Sequence, residues 1–202
     1  MQKFSTVVFD LGKVLINFDH NIWISSYNKI SSGLGNRYYK KYNENYFVHS
    51  NYESGKISDA EFIKYNLDWL ENYVSKKDFI KIFSEIFEPQ KEVIALLPKL
   101  KNKYKLVLLS NTNNIHKIYG WEHYQFLKYF DKLILSFEIG ANKPEEKIYK
   151  SVENFTKEKP ETHIFIDDIL EYVEAPKKLG WEGIQFKGYE NLTAELKTRN
   201  II

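Results

Sequence analysis

The most constraining feature of this chain is the short run at residues 6–9, which ends on the acid Asp10 and, two residues later, on Gly12. A β-branched and aromatic run of this length is typical of a buried strand. Parallel α/β sheets bind their ligands at the carboxyl ends of their strands. We therefore expect a parallel α/β sheet with Asp10 at its ligand-binding edge.

Four more apolar runs resemble this one. The predicted strands are residues 6–9, 105–109, 133–136, 163–166 and 183–186. From residue 90 onward the runs alternate with helical patterns at 92–97, 144–155 and 173–179, as βαβ units do. Pro144 suits a first helical turn, and Gly180 suits a helix end. The predicted fold class is α/β, with a doubly wound, Rossmann-like parallel sheet.

Residues 18–90 follow another pattern, because they contain no β-rich run. Their large apolar residues recur at helical spacing: Trp23, Tyr27, Ile30; Phe62, Tyr65, Trp69; and Phe79, Phe83, Phe87. Ser58 and Glu61 match a capping box, and residues 31–36 match a loop between helices. We expect a helical-bundle cap domain at 18–90, inserted into a core domain of 1–17 and 91–202 and placed to act as a lid.

The composition narrows the function classes. The 202-residue chain has a formal net charge of +2 and no cysteine. We expect no nucleic-acid partner, since no basic patch is concentrated, and no disulfide or thiolate metal site. No basic stretch with an apolar core precedes Asp10 and no run approaches a membrane span, so we expect neither a signal peptide nor membrane association. We expect a cytoplasmic monomer or homodimer.

Two of the predicted strands end on acids, Asp10 after the first and Asp167 with Asp168 after the run at 163–166. Adjacent carboxylates at a buried strand end repel each other unless a cation compensates them. Mg²⁺ prefers oxygen ligands, and a carboxylate can attack phosphorus. Each acid could instead cap a helix or lie in a loop, but the strand context favours a metal site with Asp10 as a nucleophile.

Two other motifs supply a hydroxyl and a cation. Ser110, Asn111 and Thr112 follow the strand at 105–109, where a hydroxyl and backbone N–H groups at a helix N-terminus suit a phosphate oxygen. Lys143 lies before Pro144, and an ammonium there balances the nucleophile and the transferring phosphoryl group. A plain helix N-cap and a solvated surface lysine are the alternatives. The ordered set favours magnesium-dependent phosphoryl transfer.

His116, His123 and His163 each lack metal-ligand spacing to another histidine. We expect His163 at the edge of its strand and outside any site. His116, six residues after Ser110, lies either near the mouth of the pocket or on the surface.

Over nearly its whole length the chain resembles the haloacid dehalogenase-like (HAD) superfamily. The resemblance is carried by Phe9-Asp10-Leu11-Gly12, Ser110-Asn111, Lys143-Pro144 and Asp167-Asp168. About 100 residues between the first two motifs match the subfamily with a helical cap after the first strand. Residues 9–15, 109–113 and 52–58 are similar to the bacterial α-D-glucose-1-phosphate phosphatases.

The resemblance implies a role for each motif residue and Mg²⁺ as the cofactor. Asp10 is the nucleophile and a metal ligand, and the Gly12 carbonyl is a second ligand. Ser110 and Asn111 bind phosphate, and Lys143 steadies the charge. Asp168 binds the metal directly, and Asp167 acts through water.

Three positions depart from the superfamily pattern. Gly12 stands where most of its phosphatases carry a second aspartate as general acid and base, a group worth about 10²–10⁴-fold in rate. Water, the substrate or a cap residue such as Glu53 could carry the proton instead. Ile169 and Tyr172 replace a small polar residue and Asn, which weakens the support of the metal site.

Four functions are compatible with these residues to different degrees. The leading hypothesis is a magnesium-dependent phosphatase of a small phosphorylated metabolite, such as a sugar phosphate, acting through an aspartyl phosphate. The alternative is a weakly active or inactive binding or regulatory protein on the same scaffold, as Gly12 suggests. A metal-free 2-haloacid dehalogenase is disfavoured by the acid pair Asp167-Asp168, and a phosphomutase by the missing acid–base group.

Overall fold

A five-stranded sheet forms the centre of the computed structural model, which describes residues 3–202. All four strand pairings are parallel, and the order across the sheet is β5-β4-β1-β6-β7. The strands are β1 (Thr6–Phe9), β4 (Lys105–Ser110), β5 (Lys132–Leu135), β6 (His163–Asp167) and β7 (Glu182–Gln185). The α/β fold class and the five strands are confirmed, although β5 and β7 each end one residue earlier than predicted.

The strand register brings the ends of β1, β4 and β6, which precede the candidate site residues, to the same edge of the sheet. β1 lies between β4 and β6, and Phe9 pairs with Leu108 on one side and Ile166 on the other. The residues that follow these partners therefore emerge at one edge. Asp10 stands beside Asp167, its backbone N–H donating to the Ile166 carbonyl at 2.9 Å.

Helices cover both faces of the sheet, and alternate residues of each strand point to opposite faces. Val7 and Phe9 of β1 belong to one buried cluster, whereas Val8 belongs to another on the opposite face. The core helices are α6 (Lys91–Ile94), α7 (Leu97–Lys101), α8 (Ser136–Ile139), α9 (Glu146–Thr156), α10 (Leu170–Glu174) and α11 (Tyr189–Thr198).

Several helix boundaries differ from the predicted ones. The pattern at 92–97 forms two short helices, and α9 begins at Glu146, so Pro144 precedes the helix and is not in its first turn. The pattern at 173–179 splits between α10 and a 3₁₀ turn. Its predicted end is confirmed at Gly180, whose φ of 101° suits glycine.

Five helices, together called the cap helices, lie between β2 (Ile16–Phe18) and β3 (Phe87–Pro89) in the chain. They are α1 (Asn21–Ile30), α2 (Leu34–Glu44), α3 (Tyr46–Glu53), α4 (Asp59–Trp69) and α5 (Lys76–Ser84). They enclose a separate buried cluster rich in aromatic rings, including Trp23, Tyr27, Phe62 and Phe83. Tyr65 and Ile30, from the same helical patterns, are exposed.

Of the two local predictions for the cap helices, the structure confirms the capping box and shortens the loop. The capping box is confirmed: the Ser58 hydroxyl accepts from the Glu61 N–H, and the Glu61 carboxylate accepts from the Ser58 N–H. The loop predicted at 31–36 is shorter, because α2 already begins at Leu34.

A two-stranded antiparallel ribbon was not predicted. It pairs β2 (Ile16–Phe18) with β3 (Phe87–Pro89), at the two points where the chain passes between the sheet and the cap helices. Strands of three residues are too short to produce a recognisable alternation. Within the described residues, no helix is long and apolar enough to cross a membrane.

We predict that Gly35→Ala destabilises the protein because α1 and α2 approach too closely there for a side chain. A Cβ on Gly35 would lie 2.1 Å from the Ile24 carbonyl oxygen. The expected loss is about 1–3 kcal/mol in the free energy of unfolding, measured by urea denaturation.

The matched control is Asn43→Ala, at an exposed position of the same helix, with an expected change within about 0.5 kcal/mol. An unobstructed Gly→Ala change in a helix stabilises by about 0.5–1 kcal/mol. A stabilised Gly35→Ala variant would therefore contradict the close approach of α1 and α2.

Candidate active site

A buried ammonium joins the acids at the carboxyl edge of the sheet. Lys143 Nζ lies 2.6 Å from Asp10 Oδ1 and 2.6 Å from Asp167 Oδ2. All three residues are buried, with Lys143 only 3% exposed. A single cation is thus shared by two carboxylates from neighbouring strands, which brings three of the sequence-predicted site residues together.

The lysine is held by the residue that follows β4. The Asn111 side chain accepts from the Lys143 N–H at 2.8 Å and donates to the Lys143 carbonyl at 3.2 Å. The ammonium also lies 5.1 Å from the centre of the Tyr172 ring, within cation–π range. The Asn111 amide, assigned to phosphate from the sequence, is therefore engaged with the lysine backbone, and its phosphate role stays a prediction.

The acids form a cluster that fits a divalent cation. Ligand oxygens of Asp10, Asp167 and Asp168 all lie within 4.8 Å of one another. Both oxygens of Asp167 already accept hydrogen bonds, one from Lys143 and one from the Ile169 N–H at 2.8 Å. Asp168 is half-buried. Three carboxylates with one lysine leave negative charge uncompensated, and Mg²⁺ prefers such oxygen donors.

Burial, together with the neighbouring acids, raises the pKa values of Asp10 and Asp168. Burial raises the pKa of Asp10 to about 7, with Asp167 adding to the rise and Lys143 opposing it. Burial and Asp167 also raise the pKa of Asp168. Burial alone would lower the pKa of Lys143, but Asp10 and Asp167 outweigh it and keep the lysine charged. A divalent cation at the cluster would favour the ionised forms of Asp10 and Asp168.

The space beside Gly12 is filled by an aromatic ring. A Cβ on Gly12 would lie 3.2 Å from Phe18 Cε1 and 3.9 Å from Asp10 Oδ2. The Phe18 ring is held by Lys13, whose Nζ lies 4.2 Å from the ring centre and donates to the Phe18 carbonyl at 2.6 Å. Gly12 thus offers no proton donor at the position where the superfamily resemblance leads us to expect a second aspartate.

Two adjoining cavities open from this edge. One, of about 160 Å³, is lined by the acids and Lys143, together with Ile169 and Tyr172. The other, of about 150 Å³, lies between the cap helices and the residues after β4. They share four lining residues: Gly12, Phe18, Tyr46 and Asn111. Because the cavities adjoin, a ligand with its phosphate group at the acids would extend its other atoms into the second cavity, beside the cap helices. Ser110 lines this second cavity.

The cap side of the second cavity carries histidines that sequence reasoning did not assign. His49 and Glu53 line it as a pair on α3, with 3.1 Å between His49 Nε2 and Glu53 Oε1. The i, i+4 spacing of His49 and Glu53 is the sequence signal that could have identified them as a pair on one helix face. His116, for which a surface position was one alternative, is buried and lines this cavity. His163 lies outside the site as predicted, buried against Trp181.

Comparisons with known proteins agree with this geometry. Residues 7–185 match the family described as haloacid dehalogenase-like hydrolase. A D-ribitol-5-phosphate phosphatase from Bacteroides thetaiotaomicron is 27% identical over 191 residues, covering 89% of this chain and 90% of the relative. A phosphorylated carbohydrates phosphatase from Thermotoga maritima is 26% identical over 182 residues, covering 88% and 82%.

A solved structure of the same family is also similar to this chain. It is that of a HAD family enzyme from Bacteroides thetaiotaomicron in complex with magnesium and inorganic phosphate. It superposes with a TM-score of 0.78 at 30% identity and covers 91% of this chain and 94% of its own. The likeness therefore extends over both the sheet and the cap helices.

We predict that Asp168→Asn weakens magnesium binding, because it removes one charge from the acid cluster. Mg²⁺ at 100 times its Kd should stabilise the unaltered protein by about 2.7 kcal/mol, measured as a rise in Tm. In the variant, the concentration for half of this rise should increase by about 10-fold or more. Glu171→Gln, at an exposed acid three residues away, is the control and should respond like the unaltered protein. An unchanged response in Asp168→Asn would contradict a metal site at the cluster.

Proposed function

This chain belongs to the haloacid dehalogenase-like hydrolase family, and we propose that it hydrolyses a small phosphorylated carbohydrate through an aspartyl phosphate on Asp10. It is a phosphoric monoester hydrolase with Mg²⁺ as its cofactor. The observation that carries the proposal is the buried Lys143 ammonium, which holds Asp10 against Asp167 within an acid cluster suited to the metal.

The substrate class rests on the cap-side cavity and on the relatives. At about 150 Å³ the cavity suits a small molecule, and it mixes aromatic rings with histidines and Glu53, groups that pack against and hydrogen-bond a polyol. The relatives act on D-ribitol 5-phosphate and on phosphorylated carbohydrates. Similarity to the α-D-glucose-1-phosphate phosphatases stays a prediction, so D-glucose 1-phosphate is a substrate to test beside D-ribitol 5-phosphate.

In the first step, an Asp10 oxygen attacks phosphorus while the ester oxygen leaves on the opposite side. The Asp10–phosphorus bond forms as the bond to the leaving oxygen breaks, in line. Lys143 balances the charge that moves from the carboxylate to the phosphoryl oxygens, and Ser110 and Asn111 donate to those oxygens. Asp10, the Gly12 carbonyl and Asp168 would hold Mg²⁺, with Asp167 acting through water, and the bound ion would supply neutralisation of phosphate charge.

In the second step, water attacks phosphorus and releases Asp10. The new phosphorus–oxygen bond replaces the acyl phosphate bond, and inorganic phosphate leaves with the carboxylate restored. Lys143 remains between Asp10 and Asp167 throughout, so the nucleophile returns to the same position for each turnover.

The cap helices supply the lid in this proposal, as a cap domain of residues 18–90 on a core domain of 1–17 and 91–202. The ribbon of β2 and β3 connects the two, and the second cavity lies between them. Closure over the phosphate excludes water and positions the carbohydrate. A cytoplasmic location and a monomeric or dimeric state remain predictions.

We predict magnesium-dependent release of inorganic phosphate from a panel of pentitol, pentose and hexose phosphates. Asp10→Asn keeps the shape of the nucleophile without its charge and should lower kcat by at least about 10³-fold. EDTA should abolish release from the unaltered enzyme. Asp68→Asn, at an exposed acid on α4, should have no effect.

Two outcomes would contradict the proposal. One is equal phosphate release by Asp10→Asn and the unaltered enzyme. The other is no release from any panel member, together with magnesium-dependent binding of a phosphate analogue, which would favour a binding protein on the same scaffold.

A further inference from the structure

The leaving oxygen of the proposed reaction needs a proton, and the core of the protein does not supply one at the usual position. The Phe18 ring lies where a side chain at Gly12 would extend. In-line displacement puts the leaving oxygen on the side of phosphorus opposite Asp10. The cavity lined by the cap helices adjoins the cavity at the acids and shares four lining residues with it, so a donor on its wall can reach the leaving oxygen.

Most titratable groups of that wall are unsuited to the task. Both ring nitrogens of His116 are engaged, with Asn113 and with the Phe83 carbonyl, and burial holds its pKa well below the ordinary value. Burial lowers the pKa of His20 to about 4, so it carries no proton to donate near neutral pH. Burial raises the pKa of Tyr46 to about 12 and that of Tyr42 well above the usual range.

The remaining groups are the pair His49 and Glu53. The His49 side chain is 8% exposed and its Nε2 lies 3.1 Å from Glu53 Oε1. Its other nitrogen, Nδ1, is buried without a hydrogen-bond partner among the described residues. Buried polar atoms without partners are uncommon, so Nδ1 keeps an unused hydrogen-bonding position for a ligand that packs against His49 from the cavity this residue lines. The Glu53 carboxylate at the far nitrogen fixes the orientation of the His49 ring and leaves Nδ1 free to act on a ligand.

We propose that His49 is the general acid and base of this phosphatase and takes the role of the aspartate that is absent at position 12. Glu53 is its positioning residue. The inference rests on the proposed function. It places the proton donor on the cap helices, so that the catalytic set is complete only when the cap covers the substrate.

The His49–Glu53 pair accounts for the proton transfer in each of the two steps. As the bond from phosphorus to the ester oxygen breaks, the Nδ1 proton of the His49 imidazolium passes to that oxygen and the alcohol leaves. Neutral His49, with its Nε2–H still donating to Glu53, then takes a proton from the attacking water at Nδ1. The acyl phosphate bond breaks, Asp10 is restored, and the imidazolium is ready for another substrate.

The test compares leaving groups that differ in their need for a proton. p-Nitrophenolate leaves unprotonated, whereas the alkoxide of D-ribitol 5-phosphate, or of the best alkyl phosphate in the panel, does not. With enzyme in excess and Mg²⁺ present, the rate of the first step is measured by rapid quench for each substrate. In His49→Gln we expect a loss of about 10²–10⁴-fold with the alkyl phosphate and less than about 3-fold with p-nitrophenyl phosphate.

Two variants complete the design. Glu53→Gln should give the same selective loss, smaller in size, because the ring remains but is no longer held in place by the carboxylate. If the Tm shows that His49→Gln fails to fold, the selective loss in Glu53→Gln becomes the test of the proposal. His123→Gln, at an exposed histidine, is the matched control and should change neither rate.

Equal losses with both substrates, or no loss with the alkyl phosphate, would overturn the role of His49 while leaving the phosphatase itself intact. An unaltered enzyme that acts on neither substrate would overturn the proposed function and this inference with it. A rise in KM with an unchanged first-step rate would mean that His49 only binds the carbohydrate.

Discussion

The structure depends on one ammonium group placed between two buried carboxylates. Lys143 contacts Asp10 and Asp167 at 2.6 Å each, in a setting where the three side chains are nearly inaccessible to water. Buried charges are tolerated when they are paired, and removing one partner of such a pair costs about 3–5 kcal/mol. The acids can therefore be held close together at the sheet edge, where two carboxylates alone would repel each other.

The strand order makes this arrangement possible. β1 occupies the centre of the sheet with β6 beside it, so Asp10 and Asp167 come from adjacent strand ends. β4, on the other side of β1, delivers Asn111, whose side chain ties down the backbone of Lys143. Each of the three central strands thus contributes one part of the same contact, and a shift in register on either side would break it.

The parts that could be predicted from the sequence are those with a local signal. Apolar runs that end on acids marked β1 and β6, and the capping box marked the start of α4. The short strands β2 and β3 carry no alternation, and the start of α2 was misjudged because Gly35 looks like a loop residue. It is instead the point where α1 and α2 approach closely.

The missed features of the site arise from contacts between residues distant in sequence. Phe18 fills the space beside Gly12 only because the chain turns back at Lys13, which has a φ of 59°. Asn111 holds Lys143 across 32 residues. His116 is buried because α5 packs over it, with its ring stacked on Phe83. Periodicity and motif spacing report local structure, and they do not encode which distant elements meet.

The central claim is that Asp10 becomes covalently phosphorylated during turnover. Its most direct test is a rapid acid quench of enzyme with an active carbohydrate phosphate and Mg²⁺, followed by mass spectrometry of the peptide that contains Asp10. A phosphoryl group on Asp10 in the first turnover, absent when EDTA replaces Mg²⁺, is the expected result. A phosphoryl group on another residue, or a complete first turnover with no covalent phosphate, would contradict the claim.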